Sequence, residues 1–325
     1  MTHAIRIHEH GGTDVMRWEA VEVGEPGPGE LRVRHTAAGV NFIDVYFRTG
    51  LYPVPDLPCV LGKEGAGVVE AVGPDVTDFQ VGDRVAYATA PLGSYAEERL
   101  LPAEHAVPLP EGIDDQTAAA LMLKGMTAQY LLKQTHPVRA GDTILFHAAA
   151  GGVGLIACQW AKQIGATVIG TVGSEEKAAL AKAHGCDHPI LYRQEDFVER
   201  VREITGGAGV PVVYDSVGRD TFMKSLDCLQ PRGHMVSFGQ SSGAVEPFNI
   251  GVLAQKGSLT LTRPSLFHYT ASHADLLHCA GEILDVVAAG HVRIEIGQTF
   301  PLAEAARAHD ALENRETTGA TVLLP

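Results

Sequence analysis

Ala148-Ala149-Ala150-Gly151-Gly152-Val153-Gly154 is the stretch on which the reading of this 325-residue chain turns. Apolar Ile144-Leu145-Phe146 precedes it. A helical pattern over Gly154–Ile164, with Ile156, Trp160 and Ile164 on one face, follows it. Read as AxGxxG, the stretch puts Ala149, Gly151 and Gly154 at the positions of a dinucleotide fingerprint, with Gly152 and Val153 inside the turn. The chemistry needs those residue types. The backbone has to turn sharply, approach a diphosphate without an intervening Cβ, and pack the helix close on the strand. The helix N-terminus then offers free N–H groups and a partial positive charge to the phosphates.

Working outward, strand and helix patterns alternate. Strands are expected at Thr143–His147, Thr167–Val172, Val210–Ser216 and His234–Phe238. Helices are expected at Gly154–Ile164, Glu175–His184, Phe197–Thr205 and Thr221–Leu229. That alternation predicts parallel βαβ units, hence a doubly wound α/β sheet. Ligands of such sheets bind at the C-terminal ends of the strands. Gly173, Ser174, Tyr192, Ser216, Phe238, Gly239 and Ser241 become candidate cofactor contacts on that ground. Asp215 either faces the same crevice or caps a helix. The tip of the second strand, Thr171-Val172-Gly173-Ser174, carries no carboxylate for a ribose 2′-hydroxyl. Ser174 with Lys177 one turn on suits a 2′-phosphate instead, so the expected cofactor is NADPH.

Residues 1–110 read differently. Short strand patterns at Ala4–His8, Leu31–Thr36, Gly65–Gly73 and Gly82–Tyr87, punctuated by many prolines, predict a compact, partly closed β-fold. Asp114-Asp115-Gln116 caps a helix beginning near Thr117, and a second helical stretch covers Met126–Gln134. The last part holds a helix at His273–Ala289, a break at Phe300-Pro301-Leu302, a helix at Ala303–Glu313 and a strand at Ala320–Leu324.

Composition bounds the partners. A net charge of −14 argues against nucleic acid as a main partner, since phosphate binding needs clustered Lys and Arg. No apolar run approaches the roughly 20 residues of a membrane span, and Met1–Arg6 has no signal-peptide core. Five scattered cysteines without a CxxC fit reduced thiols in the cytoplasm. Fifteen histidines include no HExxH. His184 and His188 form one HxxxH, but Gly185 ends the helix between them, and His8 with His10 share at most one strand face. No metal site is expected.

Further segments carry a family resemblance: Ala38–Asp44, Gly62–Val69, Gly82–Val85, Ala148–Gly154 and Val213–Gly218. The chain resembles the zinc-free quinone oxidoreductase, or zeta-crystallin-like, branch of the medium-chain dehydrogenase/reductase superfamily over essentially its whole length. The resemblance implies a chaperonin-10-like β-barrel catalytic domain over 1–124, a Rossmann domain over 125–264, and a segment, 265–325, returning to the catalytic domain. It also implies homodimers. Zinc-dependent members carry a Cys ligand near Asn41, a Gly-His-Glu where this chain reads Gly62-Lys63-Glu64, and a four-cysteine lobe beyond Tyr87 that this chain lacks.

By the same resemblance, Asn41, Tyr46 and Tyr52 line an interdomain cleft near the nicotinamide. Asp44 orients one of them, and Thr127, Arg263 and Arg315 contact the nicotinamide end or the pyrophosphate. Lys63, in place of a zinc-ligand His, is read as a structural ion pair. The implied activity is transfer of reducing equivalents from NADPH to quinones or similar electron-poor acceptors. Two alternatives stay open: reduction of activated C=C bonds in enals or enoyl thioesters, and, more distantly, an NADPH-binding structural or RNA-binding role.

Overall fold

The structure is a computed structural model describing residues 2–54 and 56–325. Met1 and Pro55 lie outside the described residues. The chain divides into two units. One runs through Met126 and returns with Thr270–Ala288 and Ile294–Pro325, and the other comprises Thr127–Tyr269 and Ala289–Arg293.

In chain order the first unit opens with β1 (Thr2–Ile7), β2 (Arg17–Val21), β3 (Glu30–Val40), α1 (Phe42–Arg48), β4 (Cys59–Val60), β5 (Glu64–Val72), β6 (Arg84–Tyr87), β7 (Glu98–Pro102), β8 (Val107–Pro108) and α2 (Asp115–Gln129). The second unit holds β9 (Thr143–Phe146), α3 (Gly152–Ile164), β10 (Thr167–Val172), α4 (Glu175–Ala183), β11 (His188–Leu191), α5 (Phe197–Ile204), β12 (Val210–Asp215), α6 (Phe222–Ser225), β13 (Leu229–Ser237), α7 (Gly251–Gln255), β14 (Thr260–Thr262) and α8 (Leu266–Tyr269). The chain then returns to the first unit with α9 (His273–Ala288), β15 (Ile296–Pro301), α10 (Ala305–Glu313) and β16 (Ala320–Leu324).

The first unit is built on a seven-stranded sheet in the order β15-β16-β3-β5-β6-β8, with β7 also on β3, and a small sheet β2-β1-β4. β3 is the long central strand. It continues to Val40, beyond the expected Thr36, because both its neighbours β5 and β16 extend the ladder there. Leu31, Val33, Val69, Val85, Tyr87 and Leu101 bury one apolar cluster. Ile5, Ile7, Val40, Leu61, Tyr95 and Leu323 bury another. The two helical stretches expected around residue 117 and Met126 meet in one helix, α2, which runs through Gly125. A Cβ there would stand 2.4 Å from Cγ1 of Ile283 on α9, so the glycine lets the two helices pack closely rather than marking a break.

The second unit is a six-stranded, wholly parallel sheet in the order β11-β10-β9-β12-β13-β14. By sequence the order is 3-2-1-4-5-6, the doubly wound arrangement in which the first strand sits at the point where the order reverses. Leu145, Ile169, Val213 and Met235 bury one face of neighbouring strands together with Phe197 and Phe222.

Several expectations need correction. β1 ends at Ile7, so His8 and His10 do not share a strand face. His8 bonds Glu19 on β2 at 2.8 Å, and His10 bonds the Phe47 carbonyl at 3.1 Å. The helix expected over Thr221–Leu229 is only α6, followed by a tight turn at Leu226–Cys228, and β13 already begins at Leu229. Phe300-Pro301 is no break but the end of β15, which pairs in parallel with β16. Proline is tolerated there because β15 is the outermost strand.

Candidate active site

In the second unit, β9 delivers the chain into the glycine stretch at mid-sheet. His147 N–H donates to the Tyr214 carbonyl at 3.0 Å, and Ala149 N–H donates to the Thr171 carbonyl at 3.1 Å. Ala148 adopts a left-handed backbone, φ 55°, and Gly151 N–H closes the turn on its carbonyl at 2.9 Å. A Cβ at Gly154 would lie 2.4 Å from the Ala148 carbonyl oxygen, so only glycine lets α3 start this close to the turn. The first N–H groups of α3, at Gly152, Val153 and Gly154, have no carbonyl a turn earlier within the helix. Such a terminus fits the diphosphate of a dinucleotide.

The other strand ends on this edge carry the remaining candidates. Ser174 caps α4, accepting from Lys177 N–H at 3.3 Å, which puts both residues on one exposed first turn. Tyr192 follows β11 and is half-exposed; a Cβ on Gly173 would come within 3.2 Å of its hydroxyl. Ser241 N–H donates to the Ser216 carbonyl at 3.1 Å, and a Cβ on Gly239 would sit 2.7 Å from that same oxygen. The tips of β12 and β13 therefore abut. Phe238 packs 5.7 Å from Phe146 on β9, and Arg263 donates to the Ser237 carbonyl at 3.1 Å. Thr127 is buried in α2. Asp215 is not the cap of the next helix, whose first turn Thr221 opens, but the anchor of the turn that follows β12. Its Oδ1 accepts from Val217 N–H at 2.7 Å and Gly218 N–H at 3.0 Å, and its Oδ2 accepts from Thr221 Oγ1 at 2.7 Å and Ser225 Oγ at 3.0 Å.

In the first unit the candidates gather around α1. Asn41 starts the helix, and its N–H donates to Asp44 Oδ2 at 2.8 Å while its side-chain amide donates to Glu64 Oε2 at 2.8 Å. Glu64, fully buried, also accepts from Lys124 Nζ at 2.8 Å and from Leu123 N–H at 2.7 Å. Asp44 Oδ2 takes a second bond from the Tyr95 hydroxyl at 3.0 Å, yet its Oδ1 is buried with no hydrogen-bond partner among the described residues. Burial, opposed by those donors, pushes the Asp44 carboxyl up to about 7.

A chain of fixed polarity leads into Asp44. Arg48 can only donate, so His309 Nδ1 accepts from it at 3.1 Å. His309 Nε2–H then donates to Tyr95 at 3.1 Å, and Tyr95 donates to Asp44. Burial first, and Arg48 second, holds His309 down at about 3, in keeping with a neutral ring. Tyr46 and Tyr52 meet edge to face at 5.2 Å, the first buried and the second half-exposed. Lys63 is buried, donates to the Ala90 carbonyl at 2.6 Å and lies over the Phe47 ring; burial lowers it to about 8. Arg315 is exposed in the turn after α10, at φ 62°.

Sequence reasoning left Glu64, Lys124, Tyr95 and His309 unassigned. Lys124 carried a readable signal, a lone cation closing the apolar run Ala118–Leu123. Tyr95 and His309 carried none, since they are 214 residues apart.

Comparison with known proteins fits this geometry. The family described as "Alcohol dehydrogenase GroES-like domain" matches residues 27–111, and that described as "Zinc-binding dehydrogenase" matches residues 152–276. A quinone oxidoreductase from Pseudomonas aeruginosa is 57% identical over 100% of both chains. The chain belongs to the quinone oxidoreductase family of the medium-chain dehydrogenase/reductase superfamily. Among other relatives of this quinone oxidoreductase family member, a 2-haloacrylate reductase from a Burkholderia species is 52% identical over 100% of this chain and 99% of its own. The structure of Escherichia coli quinone oxidoreductase complexed with NADPH superposes with a TM-score of 0.98 at 50% identity, covering 99% of this chain and 100% of the other.

The zinc named in one family description does not fit the side chains of this quinone oxidoreductase family member. Asn41 offers an amide and Lys63 an ammonium, and Glu64 is already engaged by three donors. Among the described residues no group of three or more His, Cys, Asp or Glu comes together to hold a metal ion.

Proposed function

We propose that this chain is an NADPH-dependent quinone reductase. The observation that carries the reading is the glycine turn at the reversal point of a parallel sheet, beside a second strand whose own end carries no carboxylate and which runs into a helix turn where Ser174 and Lys177 flank Glu175 and Glu176. When bound, NADPH would supply the hydride. The residues of the chain supply the binding. Gly151–Gly154 and the α3 terminus hold the diphosphate, Ser174 and Lys177 grip the 2′-phosphate, and Tyr192 flanks the adenine. Thr127, Arg263 and Arg315 serve the nicotinamide end or the pyrophosphate, with Ser216, Phe238, Gly239 and Ser241 along the strand tips. Asn41 orients the acceptor carbonyl, and Asp44 holds Asn41 through its backbone N–H. Tyr46 or Tyr52 donates the proton that a quinone oxygen takes up beside the hydride.

In this reading residues 1–124 and 265–325 form the catalytic domain and 125–264 the dinucleotide domain. Two copies pair, for which the open side of β14, at the end of its sheet, offers an edge. Five free thiols suit the reducing cytoplasm.

Anaerobic turnover of 1,4-benzoquinone with NADPH and with NADH tests the reading. NADPH is expected to be the preferred donor. Calorimetry showing no NADPH binding, or equal use of NADH, overturns it. The 2-haloacrylate reductase among its relatives favours a second reading, reduction of an activated C=C bond. Turnover of 2-chloroacrylate or a 2-alkenal above that of benzoquinone would select it.

A further inference from the structure

His147 sits between β9 and the glycine turn, fully buried, and no part of the mechanism above uses it. Its Nδ1 lies 2.9 Å from Thr171 Oγ1 and its Nε2 lies 2.9 Å from Ser225 Oγ. The proton directions around it follow from the acceptors its partners face. Ser225 has one hydrogen and faces two acceptors, Asp215 Oδ2 at 3.0 Å and the Thr221 carbonyl at 2.9 Å. A carboxylate oxygen accepts more strongly than a neutral imidazole nitrogen, which turns the Ser225 hydroxyl toward Asp215, and Nε2 then carries the hydrogen and donates. Nδ1 is then the acceptor, and Thr171 Oγ1 donates to it. Thr171 Oγ1 in turn accepts the N–H of Ala148 at 3.3 Å.

The result is a one-way series of hydrogen bonds in which Ala148 N–H, Thr171, His147 and Ser225 donate in turn and Asp215 accepts the last. It starts at the left-handed residue that opens the glycine turn and ends at the carboxylate that anchors the turn after β12. Thr171 grips the loop twice, through Oγ1 to Ala148 and through its carbonyl to Ala149 N–H. Phe197 packs edge-on against the imidazole at 5.0 Å, and burial depresses its pKa, so the ring stays neutral.

We propose that His147 is a positioning residue for the dinucleotide: with Nδ1 accepting and Nε2 donating, it orients the Thr171 hydroxyl so that Ala148 is held in the left-handed conformation the diphosphate turn requires. The proposal rests on the NADPH reading. It adds that the affinity of the turn is set by a buried hydrogen-bond series spanning three strands, not by the glycines alone. Such a lock pre-organises the loop before any ligand arrives, which lowers the ordering cost of binding.

The test uses the full chain. Thr171→Val keeps shape and removes the hydroxyl, Thr171→Ser keeps the hydroxyl, and His147→Phe removes both ring nitrogens. Calorimetric titration with NADPH is expected to show roughly tenfold weaker binding for Thr171→Val and His147→Phe, and Thr171→Ser within about twofold of wild type, as loss or retention of one buried hydrogen bond predicts. Turnover at saturating NADPH is expected to change less than affinity. In the ligand-free protein, 15N NMR of the histidines should show one imidazole protonated at Nε2 that His147→Phe deletes. If Thr171→Val binds NADPH like wild type, or if that imidazole is protonated at Nδ1, the proposal is wrong while the cofactor reading stands. If wild-type protein binds no NADPH at all, both fall.

Discussion

Two aspartates are buried to the same degree, one in each unit, and their surroundings differ. Asp215 in the second unit and Asp44 in the first are both fully inaccessible. Asp215 meets four donors, two backbone N–H groups on one oxygen and two hydroxyls on the other. Asp44 meets two donors, both on Oδ2, while Oδ1 has none among the described residues, and its carboxyl is pushed up to about 7. Depth in the fold thus does not set how well a buried carboxylate is satisfied; the number and direction of the donors do. In the second unit the donors come from a turn and from α6, immediately after the strand. In the first they come from residues scattered along the chain, and one oxygen is left over.

The largest effect expected from this contrast is at Asp215. Replacing it by Ala strands two N–H groups and leaves the Thr221 and Ser225 hydroxyls only the Gly218 and Thr221 carbonyls, at a cost of roughly 4 kcal/mol in stability. Chemical denaturation checks this, and a loss below about 1 kcal/mol would mean the four bonds are not made. The next is Asp44→Asn, where the sign follows from linkage. A carboxyl raised from 3.8 to about 7 keeps its proton in the folded chain after the unfolded chain has lost its own. Stability from this group is therefore lost as pH rises from about 4 to about 7, and the deficit stays in place above that. Stability of wild type relative to Asp44→Asn should fall across that window by no more than about 4 kcal/mol. A difference between the two proteins that does not vary from pH 4 to 8 would remove the distinction between the two aspartates. The smallest effects lie on the exposed tip of β10, away from both. Ser174→Ala should cost about 1 kcal/mol through its lost cap. Lys177→Ala should weaken NADPH about tenfold and leave NADH unchanged in calorimetry, and equal losses for both would defeat the phosphate assignment.

The second unit was the more legible because its signals are local. The glycine turn, the strand before it and the helix after it occupy one continuous stretch, and β10 ran over Thr167–Val172 as the periodicity predicts. Strands that escaped notice include β2, β4, β7, β8, β14 and β15; they are short, and β2, β4, β8 and β14 lie at sheet edges. β15 lies at an edge too, alternating between half-buried and exposed positions and ending in proline, so its pattern is weak.

The amino-acid order by itself determined where the glycine turn forms, because a sharp bend, a Cβ-free approach and a helix start are all dictated by neighbours within a few residues. It also determined that β10 itself ends without a carboxylate and is followed by Ser174 and Lys177, with Glu175 and Glu176 between them. Only the tertiary structure decided which polar groups are buried together: Glu64 with Lys124 across 60 residues, Tyr95 with His309 across 214, and His147 with Ser225 across 78. The reason is physical. A buried charge or imidazole is set by the donors that surround it in space, and chain folding, not sequence proximity, brings those donors together.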